Sequence, residues 1–225
     1  MSMLIIGIDD AGRGPVIGPM VLAGCLIQEE IEVDFKDVGV KDSKMLTQKR
    51  REQLAELIRE KAMKYKVVQI SPNEIDTSLN GGTNLNKLEA IKMAEIINTL
   101  NKGDMPIRVL IDCPSTNPHE WTDYLKKHIT KLENLEIVSE HKADQKYLAV
   151  SAASILAKTK REEEIKKLKK KIGKDFGSGY PADPVTCKFL QEHSKKHEKD
   201  GIFRKTWQTW KDLCGKKEQK KLPGF

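Results

Sequence analysis

The run Leu4-Ile-Ile-Gly-Ile-Asp-Asp-Ala-Gly-Arg-Gly-Pro-Val-Ile-Gly-Pro-Met20 decides the fold class. Leu4–Ile8 is apolar and rich in isoleucine, which reads as a buried strand. Asp9 and Asp10 close that strand. Gly12-Arg-Gly-Pro-Val-Ile-Gly18-Pro19 then reads as a loop punctuated by glycine, and Met20–Ile27 as a hairpin partner. The loop is not a nucleotide fingerprint. Its spacing, Gly12-x-Gly14-x-x-x-Gly18, departs from G-x-G-x-x-G, Pro15 and Pro19 keep it from opening a helix, and no Gly-Lys-Ser/Thr follows. It is either an ordinary hairpin connection or a loop whose backbone N–H groups lie against a phosphate or sugar, since glycine lets a backbone approach closely.

Outward from this run, strands cluster early and alternate with helices later. Thr47 caps a helix over Gln48–Lys64, in which Leu54, Leu57 and Ile58 share a face. Tyr65–Ile70 reads as a strand, Ser71–Leu79 as a capped turn and Asn84–Leu100 as an amphipathic helix. Arg108–Cys113 and Leu135–Ser139 read as strands around a helix over Trp121–Leu132. Lys146–Lys171 is a long helix, small and apolar in its first half and basic in its second. Residues 180–214 read as helical with a basic surface. This order predicts an α/β fold, a mixed sheet flanked by helices, followed by a small helical C-terminal region.

Composition narrows the function classes. At 225 residues and 38% apolar, the chain can bury a core, so general disorder is excluded. No stretch approaches the ~20 apolar residues of a membrane span, and the N-terminus lacks a secretory signal pattern. Cys25, Cys113, Cys187 and Cys214 are widely spaced with no C-x-x-C pair, which argues against a disulfide framework or zinc ribbon and for an intracellular, cytoplasmic protein. Cys187, His193 and His197 are close in sequence, but a fourth ligand is missing; the plainer reading is a solvated helix with a buried thiol. Lys188–Lys221 carries 11 basic and five acidic residues, nearly the whole of the chain's +7. Phe203, Trp207 and Trp210 interleave with those basic residues, a pattern that fits a polyanion partner, whereas lysines alone would suit any solvated helix.

The chemistry is carried by acidic residues near strand ends. Asp9 and Asp10 follow the first strand, Asp112 closes Arg108–Cys113, and Asp144 lies between Leu135–Ser139 and the long helix. Singly, each could be a turn former or a helix cap. Converging on neighbouring strands, four carboxylates cannot all stay ionised without protons or hard divalent cations.

Gly7–Met20 closely resembles the opening signature of the ribonuclease HII family, the type 2 ribonucleases H. Gly39-Val-Lys-Asp-Ser-Lys44, Ile111-Asp-Cys113, Glu140-His-Lys-Ala-Asp144 with Ser151-Ala-Ala-Ser-Ile155, and Gly177-Ser-Gly-Tyr-Pro181 before Asp183-Pro184 match in the family's order. The pattern is most similar to the archaeal single-chain members. The resemblance implies a ribonuclease H-like catalytic domain over 1–176, a helical substrate-binding region over 177–214 and a basic tail over 215–225. It implies an endonuclease that hydrolyses the RNA strand of RNA–DNA hybrids and incises 5′ of single ribonucleotides in duplex DNA, leaving 5′-phosphate and 3′-OH ends. By match, Asp9, Asp10, Asp112 and Asp144 are the catalytic carboxylates of a two-metal site for Mg2+ or Mn2+. Gly12, Arg13 and Gly14 contact the sugar-phosphate of the ribonucleotide, and Tyr180 stacks on the neighbouring deoxyribose. Lys41, Ser43 and Lys44, with Ser151 and Ser154, hold the nucleic-acid backbone. The signature normally has Glu at its second acidic position; Asp10 is one methylene shorter.

Gln219-Lys-Lys-Leu222-Pro-Gly-Phe225 has the spacing Q-x-x-L-x-x-F, which resembles the peptide that enters the sliding clamp of replication, with Leu222 and Phe225 filling an apolar pocket. The resemblance needs no partner subunit and suggests a monomer. Two rivals remain from the residues alone. A haloacid-dehalogenase-type phosphatase would need Asp-x-Asp where this chain has Asp9-Asp10. A non-enzymatic hybrid-binding module would keep the basic C-terminus without needing four carboxylates.

Overall fold

The computed structural model describes residues 3–40 and 46–219. The chain forms two compact units, each drawn from several segments. The first takes the chain up to Ala11, Val21–Gln69 and Leu85–Lys160; the second takes Gly12–Met20, Ile70–Asn84 and the chain from Arg161 onward.

The first unit is built on a five-stranded sheet. Its strands are β1 (Leu4–Ala11), β2 (Met20–Gln28), β3 (Lys64–Ile70), β4 (Ile107–Asp112) and β5 (Leu135–Glu140), in the order β3-β2-β1-β4-β5. β1 pairs antiparallel with β2 and parallel with β4, and β4 pairs parallel with β5. The expected mixed sheet is therefore present. β1 runs three residues past Ile8, so Asp9 and Asp10 lie within the strand rather than beyond it. Their backbones continue the ladder opposite Ala23 and Leu22, which is why the strand does not stop at the last apolar residue.

Among the described residues of this unit lie α1 (Ile31–Asp37), α2 (Gln48–Lys61), α4 (Leu85–Leu100) and α5 (Pro118–Lys126); α3 (Pro72–Asn80) belongs to the second unit. α1 is absent from the sequence reading. Seven residues with one buried side chain, Phe35, and no side-chain cap carry too little periodicity to reveal a helix. α5 starts at Pro118, behind Asn117, whose side chain accepts from the Glu120 amide, and stops six residues short of the expected Leu132. A short α6 (Ala143–Lys146) leads into α7 (Leu148–Ile172).

Small residues let α7 lie on the sheet. Ala149, Ala152, Ala153 and Ala157 are fully buried with Ile5, Ala11 and Leu110 in one core. At Gly7 a Cβ would stand 2.1 Å from the Ala149 carbonyl carbon, so only glycine admits the helix this close to β1. The polar half of α7 partly neutralises itself: Lys167 pairs with Glu163 and Glu164 at 2.7 and 2.9 Å. Among the described residues, no helix is long and apolar enough to cross a membrane.

The second unit has its own core of Val16, Ile17, Ile165, Phe176, Phe189, Leu190, Ile202, Phe203 and Trp210. It includes α8 (Pro184–His193) and α9 (Gln208–Gln219), separated by irregular chain rather than by continuous helix. α3 is tied to that irregular chain. Asp76 accepts from the Lys205 amide at 2.7 Å, the Thr206 amide at 3.0 Å and the Thr206 hydroxyl at 2.6 Å.

Candidate active site

In the first unit the parallel register decides which carboxylates meet. Ile8 lies opposite Ile111, so Asp9 and Asp112 come one step later on adjacent strands. Side chains alternate along a strand, and Asp9 follows Ile5 and Gly7 onto the face that α7 covers. Asp144 arrives from α6. Carboxylate oxygens of Asp9, Asp112 and Asp144 all lie within 4.8 Å of one another, the one such group of potential metal ligands among the described residues.

Backbone geometry sets the third member. β5 ends at Glu140, and Lys142 takes φ 57°, the only positive φ at a described non-glycine residue. That left-handed residue turns the chain sharply into α6. The Ala143 amide then donates to Asp112 Oδ1 at 3.1 Å, which ties the start of α6 to the end of β4. His141 Nδ1 lies 3.2 Å from the Cys113 carbonyl oxygen, a second link between the same two segments.

Electrostatics in this cluster are unfavourable in the protein alone. Asp9 is 4% exposed, and burial, then the nearby Asp10 and Asp112 charges, push its carboxyl well above the usual carboxylate range. The Asp10 amide, which donates to Asp9 Oδ1 at 2.7 Å, and a Ser154 hydrogen bond oppose that rise. Three oxygen donors crowded this closely suit a hard divalent cation, whose charge would offset their repulsion.

Asp10 stands outside the three-carboxylate group and is half-buried. Its charge nonetheless acts on Asp9 more strongly than that of Asp112. Ser151 and Ser154 are buried, and Ser154 hydrogen-bonds Asp9.

The second unit builds a different surface. Gly12 has φ +84°, and a Cβ there would fall 2.2 Å from Arg161 Nε. Gly14 faces the Tyr180 ring, where a Cβ would stand 3.3 Å from its edge. Gly12 is thus required by its backbone, while at Gly14 the Tyr180 edge would have to give by a few tenths of an ångström. Arg161 donates to the Ser178 carbonyl at 3.2 Å, and its guanidinium lies 5.4 Å from the Tyr180 ring centre. The turn carrying Tyr180 is held by Asp183, which accepts from the Ser178 amide and hydroxyl, both at 2.7 Å, and from the Val185 amide at 2.9 Å. These bonds, first those from Ser178, hold the Asp183 carboxyl down at about 2. Tyr180 remains 40% exposed.

Sequence reasoning passes over Arg161 and Arg204. Arg204 is fully buried and donates to the carbonyls of Gly12, Arg13 and Gly18. Among 40 lysines and arginines, nothing in the sequence singles it out. Cys187 and His197, weighed above as metal ligands, have other contacts. Cys187 Sγ lies 3.0 Å from the Pro181 carbonyl oxygen, and His197 stacks on Phe189 with its Nδ1 2.7 Å from Asp200. Lys41, Ser43, Lys44, Leu222, Phe225 and the side chain of Gln219 lie outside the described residues.

Comparison with known proteins bears on this arrangement. The family model described as Ribonuclease HII matches residues 6–210. Ribonuclease HII of Methanocaldococcus jannaschii is 44% identical, over 98% of this chain and 99% of that protein. The crystal structure of ribonuclease H2 from Pyrococcus horikoshii superposes with a TM-score of 0.86 at 38% identity, covering 98% of this chain and all of that one. RNase HII of Archaeoglobus fulgidus, solved as a complex with PCNA, superposes with a TM-score of 0.81 at 40% identity, covering 93% and 96%. With an aspartate cluster at the ends of adjacent parallel strands and this match along nearly its full length, the chain belongs to the ribonuclease HII family, the type 2 ribonucleases H, hydrolases that cut the RNA strand of RNA–DNA hybrids.

Proposed function

We propose that this enzyme also incises duplex DNA on the 5′ side of a single embedded ribonucleotide, leaving 5′-phosphate and 3′-OH ends, with Asp9, Asp10, Asp112 and Asp144 holding two divalent cations, Mg2+ or Mn2+. The observation that carries this reading is the convergence of Asp9, Asp112 and Asp144 oxygens within 4.8 Å. When bound, the cations would supply an activated water and neutralise charge on the leaving oxygen of the phosphodiester. Asp9 and Asp144, both buried, set the position of that chemistry. Ser154 and the Asp10 amide fix the Asp9 carboxylate in one orientation. Asp10, shorter than the family's usual Glu, lowers the affinity of the site for metal because ligand distances tolerate only ~0.2 Å.

Gly12, Arg13 and Gly14 offer backbone groups to the ribonucleotide, and the exposed Tyr180 ring stacks on the sugar next to it. The 2′-OH is the group that tells RNA from DNA at such a junction. The basic region 177–214 neutralises phosphates, with Lys41, Ser43 and Lys44 as further backbone contacts, so affinity falls with salt.

A labelled DNA duplex with one internal ribonucleotide, incubated with Mg2+, with Mn2+ and with EDTA, tests this. Incision 5′ of the ribonucleotide, lost in EDTA, is the expected result and shows that Asp10 supports catalysis. Retained binding with no incision in either metal would overturn it in favour of a hybrid-binding module.

The tail Gln219–Phe225 is a docking peptide for the sliding clamp, in a role within DNA replication and repair. The complex of the Archaeoglobus fulgidus relative with PCNA supports that reading. Deleting Gln219–Phe225 is expected to abolish clamp binding in a titration and to spare hydrolysis of a short hybrid; unchanged affinity would end this part of the reading.

A further inference from the structure

We infer that Arg204, seconded by Trp207, is a positioning residue that aims the backbone N–H groups of the Gly12–Gly14 loop at the ribonucleotide. The inference rests on the reading that this loop contacts substrate. Arg204 Nη2 donates to the Gly12 carbonyl at 2.6 Å and Nη1 to the Arg13 carbonyl at 2.9 Å, while Nε donates to the Gly18 carbonyl at 3.0 Å. Trp207 Nε1 donates to the Gly14 carbonyl at 3.1 Å, and its ring centre lies 4.9 Å from the Arg204 guanidinium. Three successive carbonyls are thus gripped by one stacked pair of side chains.

The consequence follows from the peptide bond. No described peptide is cis, and in a planar trans peptide the C=O and N–H point in opposite directions. The carbonyl of Gly12 shares its peptide with the Arg13 N–H, and that of Arg13 with the Gly14 N–H. Holding both carbonyls on the Arg204 side turns both N–H groups away from it, as a consecutive pair. Such a pair forms a concavity for an electron-rich oxygen. Residue 15 is proline, so gripping the Gly14 carbonyl wastes no donor.

The planar guanidinium is suited to this task, because its fixed fork matches carbonyls whose spacing must not vary. A lysine would reach one of them as a point charge. Arg204 is itself anchored: its amide donates to the Val16 carbonyl at 2.9 Å, and the next two residues are held by Asp76. Arg161 fills the space beside Gly12, so the loop is braced on that side as well.

Arg204→Lys and Trp207→Phe test the assignment, and Trp207→Phe keeps the stacking ring should Arg204→Lys fail to fold. Each variant is assayed for melting temperature, binding to an all-DNA duplex, and kcat and KM on a duplex with a single ribonucleotide. The expected result is a drop in kcat/KM of about thirtyfold for Arg204→Lys and about fivefold for Trp207→Phe. KM should carry most of the loss, all-DNA binding should stay near wild type, and Trp207→Phe should melt near wild type; Arg204→Lys, which leaves buried carbonyls unpaired, is assayed below its lowered melting temperature. Unchanged kcat/KM in the folded variants, or a loss matched by the loss of folded protein, would overturn the inference. Gly14→Ala separates the two levels. If Gly14→Ala cleaves normally, the loop is not a substrate contact and the underlying reading fails; if it is impaired while both other variants are normal, only the role of Arg204 and Trp207 fails.

Discussion

Asp9→Asn is expected to lower hydrolysis of an RNA–DNA hybrid by about a thousandfold or more, equivalent to ~4 kcal/mol of lost transition-state stabilisation, while the hybrid stays bound. The Asp9 charge costs the fold, since it is buried and faces the charges of Asp10 and Asp112. Its carboxyl is held above the ordinary carboxylate range, so the stability it contributes is full below that range and is lost as pH rises through the raised value. At neutral pH in EDTA the wild type carries this cost, and Asp9→Asn does not. The variant should therefore melt a few degrees higher than wild type in EDTA, with the difference closing as pH falls. Added Mg2+ should raise the melting temperature of the wild type and leave the variant nearly unchanged. Two measurements check this: single-turnover cleavage in Mg2+, and melting curves in EDTA between pH 4 and 8. Cleavage within tenfold of wild type would remove Asp9 from the catalytic set.

Tyr180→Ala is expected to reduce incision at a single embedded ribonucleotide by about a hundredfold, and Tyr180→Phe by no more than about threefold. Tyr180 is a large ring left 40% exposed on a turn that Asp183 holds through three hydrogen bonds. Its inner edge rests on Gly14, and the Arg161 guanidinium sits beside its face. Those contacts orient the ring without burying it, which leaves a flat surface of fixed direction for a sugar. Removing the ring loses that surface; removing only the hydroxyl keeps it. The cation–π contact with Arg161 is worth about 0.5–1 kcal/mol at such a site, too little for its loss to unfold the protein. Cleavage of both substrates compared across the two variants decides the matter. If Tyr180→Phe is as impaired as Tyr180→Ala, the hydroxyl and not the ring is what the substrate meets.

Much of the architecture was legible from patterns of apolar residues. Leu4–Ile8, Arg108–Cys113 and Leu135–Ser139 are apolar runs of strand length, and the observed β1, β4 and β5 contain or nearly coincide with them. Two caps were equally readable. Thr47 and Ser71 accept from the amides of Arg50 and Glu74, whereas Asn117, which accepts from the Glu120 amide, was not singled out. α1 was not, because a seven-residue helix with one buried side chain leaves no period to detect. The family resemblance named the candidate carboxylates and the Gly12–Gly14 loop, but chain order could not say how they are held.

Some of what remained follows from strand register. Asp9 joins the cluster while Asp10, its neighbour in the strand, stands outside the three-carboxylate group. Opposing Ile8 to Ile111 brings Asp9 beside Asp112, a fact of pairing that neither strand contains alone. The sequence by itself determined the main strands and longer helices and the acidic residues available for catalysis, because these depend on local propensity and side-chain type. Only the tertiary structure decided that Asp144 completes the group through a left-handed turn at Lys142, and that a buried arginine 192 residues away grips the Gly12 carbonyl. Hydrogen bonds of that kind are set by which surfaces close-pack in space, and close packing leaves no periodic mark along the chain.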